Sequence, residues 1–78
     1  MNQQIDVYIS DNCAECEKLI QFLEEANLSF YEKNTTKDKQ NLMELQQQNV
    51  FITPAVIIDD HHPIIGFQPD KIIRLVNL

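Results

Sequence analysis

The sequence predicts an α/β fold with the element order β-α-β-α-β-β-α, a four-stranded mixed sheet flanked by three helices. Three observations predict it. Apolar residues alternate with period two near the start and then switch to a helical period, and this strand-then-helix pattern recurs once. A short β-branched run after Thr53-Pro54 is followed by a polar turn and a second apolar pair, which reads as a hairpin. A β-α-β crossover makes its two strands parallel and a tight turn makes the next two antiparallel, so the sheet must be mixed. With 78 residues the chain is expected to hold one domain, 1–78, and one core.

Each element follows from local pattern. Ile5, Val7 and Ile9 alternate with Asp6, Tyr8 and Ser10, predicting a first strand to about Ser10 with one face more buried than the other. From Cys13 the period changes: Cys16, Leu19, Ile20, Leu23 and Ala26 share a helical face, while Glu17, Lys18, Gln21, Glu24 and Glu25 are polar. Asn27 is a fitting stop, and Leu28, Phe30 and Tyr31 suit a second strand ending near Lys33. Asn34-Thr35-Thr36 offers cap residues for a second helix, with Asp38 in the following turn. Leu42, Met43 and Leu45 give that helix a weaker apolar stripe, and it should end near Asn49. Ala55-Val56-Ile57-Ile58 reads as a buried strand, Asp59-Asp60-His61-His62 as a turn, and Pro63-Ile64-Ile65-Gly66 as the returning strand. Pro69 starts the last helix, with Asp70 near its positive end, Arg74 toward its C-terminal half, and Ile72, Leu75 and Val76 facing inward.

Charge and hydropathy exclude several classes. Six Lys and Arg against twelve Asp and Glu give a formal net charge of −6, which repels a phosphate backbone and disfavours nucleic-acid binding. Apolar runs such as Ala55 to Ile58 fall far short of the roughly 18 to 20 residues that span a bilayer. The start Met1-Asn2-Gln3-Gln4 lacks the basic and apolar regions of an export signal, so a cytoplasmic, membrane-free protein is the expectation, and a monomer its expected state.

In a reducing compartment, two cysteines close in sequence point to redox catalysis or metal binding rather than to a structural staple. Cys13-Ala14-Glu15-Cys16 lies between the first strand and the first helix, which puts Cys13 at the helix N-terminal end and Cys16 within the first turn. Unpaired N–H groups and the helix dipole favour an anion there, making Cys13 the natural nucleophile. Cys16, on the apolar face with Leu19 and Ile20, is suited to resolve the mixed disulfide that Cys13 forms, and the cycle requires no cofactor.

Cys13-Ala14-Glu15-Cys16 after the first strand, Thr53-Pro54 before the third and Gly66-Phe67-Gln68-Pro69-Asp70 before the last helix together resemble the glutaredoxins. The chain is most similar to the glutaredoxin-like NrdH-type redoxins of the thioredoxin superfamily, over nearly its whole length. The resemblance implies a thioredoxin-like fold, with Pro54 as a cis-proline facing the cysteines. It further implies that Thr53 offers main-chain hydrogen bonds to an extended substrate segment and that Gly66 and Phe67 help to hold it. NrdH-type redoxins take electrons from thioredoxin reductase and reduce ribonucleotide reductase, so these are the implied donor and substrate. Many glutaredoxins carry a basic residue before the first cysteine and a Gly-Gly-x-Asp-Asp type segment; here Ser10-Asp11-Asn12 and Gly66 to Asp70 stand instead, which argues against glutathione as reductant. Ile64-Ile65 replaces the Trp-Ser of NrdH-type redoxins. Asp11 and Glu15 bring negative charge to Cys13 and Lys18 offsets part of it, so Cys13 is expected to be less acidic than in a basic-flanked redoxin.

Other readings of the same residues remain open at this point. A glutathione-dependent glutaredoxin is one, and a thioredoxin-like adaptor with incidental cysteines another. A zinc module would combine Cys13 and Cys16 with His61 and His62, although ligand histidines are usually separated by about three to five residues. An iron-sulfur cluster shared between two chains is a further alternative. Phe67 and Tyr8 suit either substrate contact or packing, while Asp70 and Pro69 suffice as helix starters.

Overall fold

In the computed structural model, which describes residues 3–76, β1 (Ile5–Ile9) leads into α1 (Ala14–Glu25), β2 (Tyr31–Asn34) and α2 (Lys39–Gln47). There follow β3 (Ala55–Ile58), β4 (Ile64–Ile65) and α3 (Pro69–Val76). The sheet order is β2-β1-β3-β4, with β1 parallel to β2 and antiparallel to β3, and β3 antiparallel to β4. The predicted architecture is thus observed.

Strand β1 is central, and both its faces are covered, as the neighbours of a central strand in a helix-flanked sheet require. Ile5 and Val7 join Val56, Ile58 and Ile64 under α1 and α3, where Leu19, Leu23, Ile72 and Val76 complete the main core. On the opposite face Tyr8 and Ala55 pack with Leu45 and Val50 beneath α2. Ile5 and Val7 are buried and Asp6 only half-buried, as the expected more buried face requires, while Tyr8, only 4% exposed, is buried on the other face as well. Each fully buried Leu contributes about 1.5 to 3 kcal/mol through removal of apolar surface from water.

The helix ends show how local sequence sets the frame. Asn27 adopts φ 57° after α1, its N–H donates to Glu24 O (3.1 Å), and Leu28 N–H donates to Leu23 O (3.1 Å), a Schellman closure. Asn49, at φ 61°, closes α2 in the same way through Gln46 O (2.9 Å) and Leu45 O (3.3 Å). Leu28 is occupied by this closure, which is why β2 begins at Tyr31 and not at Leu28; Leu28 and Phe30 still pack on the core. The N-cap of α2 is Asp38, whose carboxylate accepts from Gln40 N–H (2.9 Å), a correction to the expectation that Asn34-Thr35-Thr36 caps this helix. Met43 is 53% exposed, which narrows the predicted stripe of α2 to Leu45 with Leu42 half-buried.

A polar network finishes the α2 side. Lys33 Nζ on β2 meets Glu44 Oε1 on α2 at 2.9 Å and sits 5.4 Å from the Tyr8 ring centroid, and the Tyr8 hydroxyl donates weakly to the same Glu44 oxygen (3.4 Å). Burial raises the Tyr8 pKa, the hydrogen bond to Glu44 raises that of Lys33, and the Lys33 ammonium lowers that of Glu44. Among the described residues no helix is long and apolar enough to cross a membrane.

Candidate active site

The C-terminal end of β1 delivers Ser10-Asp11-Asn12 to the start of α1. Asn12 takes the left-handed conformation (φ 56°), and Cys13 follows as the extended N-cap residue, with φ −122° and ψ 104°. Its Sγ accepts the Cys16 N–H at 3.1 Å, and its carbonyl accepts the Glu17 N–H at 3.2 Å, so the cysteine sits where the first helical amides are unpaired. A disulfide joins Cys13 to Cys16. The two cysteines differ in exposure: Cys13 is half-buried, while Cys16 is 2% exposed.

The loop that carries Cys13 is braced from the neighbouring strand. Because β1 and β2 are parallel with Ile9 opposite Asn34, the end of β2 lies beside this loop. Asp11 N–H donates to Thr36 Oγ1 (3.0 Å), Asn34 Nδ2 donates to Asp11 Oδ1 (3.0 Å), and Thr35 donates to Ile9 O from both its N–H (2.7 Å) and its hydroxyl (2.9 Å). Asn34 Oδ1 also accepts from Thr36 N–H (2.8 Å) and Lys37 N–H (2.9 Å), which fixes the turn. Asn34, Thr35 and Thr36, expected to cap a helix, hold the redox loop instead. The signal that could have revealed this is the predicted parallel pairing of β1 with β2, which sets their C-terminal ends side by side.

A second segment joins the site through Ser10, whose hydroxyl is hydrogen-bonded to that of Thr53 at 2.6 Å. The Thr53-Pro54 peptide bond is cis and Pro54 is fully buried. Pro54 O accepts the Gly66 N–H at 2.8 Å, tying the loop before β3 to the end of β4. Gly66 has φ 82°, a conformation that disfavours any side chain, and the Glu15 carboxylate lies 3.7 Å from where a Cβ would stand. Glu15 Oε2 accepts weakly from the Phe67 N–H (3.4 Å), so the middle of the cysteine motif reaches the Gly66-Phe67 segment. The Phe67 ring, half-buried, packs edge-on against Phe22 with centroids 6.1 Å apart, and Tyr8 is turned into the α2 side of the core.

Immediately before Thr53, Phe51 is 74% exposed and Ile52 60% exposed, an apolar pair that lies outside the elements expected from the sequence. The structure does not bring His61 and His62 to the cysteines: the histidines line a cleft beside α3, and the cysteines line a groove beside α1. Among the described residues no group of three or more potential metal-ligating side chains forms, so the Cys2His2 set does not assemble.

A family model described as a thioredoxin domain matches residues 3–76. The chain belongs to the thioredoxin family. The Gene 56 protein of Mycobacterium phage D29 is 31% identical over 74 residues, covering 94% of this chain and 82% of that protein. Among solved structures, the glutaredoxin-like protein NrdH-redoxin from Escherichia coli, described as having a thioredoxin-like activity profile, matches with a TM-score of 0.81 and 28% identity, over 92% of this chain and 93% of that one. The thioredoxin-like protein BC3987 matches with a TM-score of 0.83 and 30% identity, over 91% and 97% of the two chains. The resemblance to glutaredoxin-like members of the thioredoxin superfamily is therefore borne out. With its redox-active cysteine pair, this thioredoxin-family protein is a thiol-disulfide oxidoreductase, and its reaction requires a disulfide substrate and a reductant.

Proposed function

We propose that the protein is a dithiol redoxin that reduces disulfides in other proteins, with Cys13 attacking and Cys16 resolving. The observation that carries this reading is the asymmetry of the pair: Cys13 is accessible at the N-cap of α1, whereas Cys16 is closed off beneath it. When the pair is reduced, the Cys16 N–H that donates to Cys13 Sγ and the other free amides of the first turn stabilise a Cys13 thiolate. That thiolate attacks one sulfur of a substrate disulfide, forming a Cys13-substrate disulfide and expelling the other substrate sulfur as a thiolate, which takes a proton. Cys16 loses its proton and attacks Cys13 Sγ, closing the Cys13-Cys16 disulfide and releasing the second substrate thiol. Two electrons pass from the pair to the substrate, and an external reductant restores the dithiol.

Thr53, Pro54, Gly66 and Phe67 are the substrate-holding residues in this reading. Their support is the bonding of Thr53 to Ser10, of Gly66 to Pro54 and of the Phe67 N–H to Glu15, which links these segments to the loop and motif that carry Cys13. The exposed Phe51-Ile52 pair supports a protein substrate over a small thiol, because it adds apolar surface next to Thr53. For the donor, the Ser10-Asp11-Asn12 approach and the likeness to NrdH-redoxin favour thioredoxin reductase over glutathione, with ribonucleotide reductase as the first substrate to try. The deciding experiment compares reduction of the oxidised protein by NADPH with thioredoxin reductase and by glutathione with glutathione reductase. Fast reduction by the former alone is expected; reduction mainly by glutathione overturns the donor assignment, and reduction by neither overturns the redoxin reading.

A further inference from the structure

We infer that the disulfides this protein reduces best are flanked by lysine or arginine side chains, because the groove beside its cysteine pair is negatively charged. The inference rests on the reductase reading above and names the substrate class of the same site. A groove of about 380 Å³ runs along α1 from the redox pair, lined by Cys13 and Cys16 together with Asp11, Glu17, Glu24 and Glu32. Lys37 is the one Lys or Arg among its lining residues. Glu17 and Glu24 lie two turns apart on one face of α1, and Glu32 on the edge strand β2 stands across from them, so carboxylates border the groove on both sides.

These charges are available to a partner. Glu17, Glu24 and Glu32 are exposed, and none of them forms a salt bridge among the described residues, where Lys33 pairs with Glu44. Asp11 accepts from the neutral Asn34 amide, which leaves its charge in place. The chain's net charge of −6 adds a field of the same sign. Ile20 lines the groove between the carboxylates and offers an apolar surface to the stem of a lysine or arginine whose charged end reaches them. A substrate disulfide must come to Cys13 to react, so groups flanking it lie nearest Asp11 and Glu17, and a flank running along α1 approaches Glu24, about 12 Å of helix beyond Cys16. The attraction is strongest at low salt, where screening is weak. Cationic flanks are attracted and anionic flanks repelled, an effect expressed chiefly in the association step.

The test uses three disulfide peptides of one core sequence with lysine, glutamine or glutamate flanks, and reads kcat/KM for the reduced full-length protein. At about 20 mM salt the lysine-flanked peptide should be reduced at least about tenfold faster than the glutamate-flanked one, with the ratio falling below about twofold near 0.5 M salt. The combined Glu17→Gln, Glu24→Gln, Glu32→Gln variant should close most of that gap. Equal rates, or faster reduction of the glutamate-flanked peptide, overturn the preference and leave the reductase reading intact. A ratio unchanged in the triple variant overturns the assignment to this groove, and failure to reduce any of the three overturns both readings. The peptide series on the unaltered protein decides the charge preference whether or not the variant folds.

Discussion

On the face of the sheet under α1 and α3, residues from three strands and two helices interdigitate around the fully buried Leu19, Leu23 and Ile72. On the face under α2 the buried apolar cluster is smaller, Tyr8 and Ala55 with Leu45 and Val50 and Ile57 partly buried beside them, and the Lys33-Glu44-Tyr8 network occupies the rim. The difference falls along a functional line. Helix α1 presents Cys13 at its first turn and Cys16 on its buried face, so its anchoring in the larger core fixes the geometry of the redox pair. Helix α2 carries no cysteine and contributes stability and a cover for the sheet.

That contrast breaks most directly on truncation. Leu23→Ala should cost about 4 kcal/mol by creating a cavity in the larger core, and Leu45→Ala about 2 to 3 kcal/mol on the thinner side, read from denaturant unfolding. If the functional line is drawn correctly, folded Leu45→Ala keeps its disulfide-reduction rate within about twofold of the parent, whereas Leu23→Ala loses activity beyond what its unfolded fraction explains. Equal losses of activity in both would erase the distinction.

The exposed Phe51 sharpens the comparison from outside both cores. Phe51→Ser should raise KM for a protein disulfide by about three- to tenfold, corresponding to roughly 1 kcal/mol, with the unfolding midpoint unchanged. A fall in stability without a change in KM would instead assign Phe51 to packing.

The smallest effect concerns the rim of the α2 face. Because the folded Glu44 pKa is lowered, its interaction with Lys33 stabilises the protein above the ordinary Glu value of 4.5 and is lost as pH falls through the lower folded value. The raised pKa of Lys33 means its share is present below the ordinary value of 10.5 and is lost as pH rises through the higher folded value. Glu44→Gln should therefore lower the melting temperature slightly near neutral pH, and the difference should vanish in acid. A difference that persists below the folded carboxylate range would point to packing rather than charge.

Much of this was legible in the sequence, for identifiable reasons. Period changes at Cys13 and the β-branched run after Pro54 mark elements whose burial is determined locally, and these give the element order and the mixed sheet. Asn27 and Asn49 mark helix ends because a left-handed residue is needed there. The burial of Tyr8 was hidden because its cover comes from α2 and Val50, far along the chain. Asn34, Thr35 and Thr36 carry the composition of a helix cap, and only the register of Ile9 with Asn34 turns them toward the redox loop. The cysteine motif was the most legible part of the site, since both residues and their helix position are local. The Ser10-Thr53 bond, the reach of Glu15 to Phe67 and the exposure of Phe51 and Ile52 depend on how distant loops meet.

The division of labour between the two cysteines is tested most directly by allowing Cys16→Ser and Cys13→Ser to react separately with a protein disulfide and mapping the products by mass. Cys16→Ser should accumulate a mixed disulfide at Cys13, while Cys13→Ser should give no adduct above background. An adduct forming at Cys16 in Cys13→Ser as readily as at Cys13 in Cys16→Ser would contradict it.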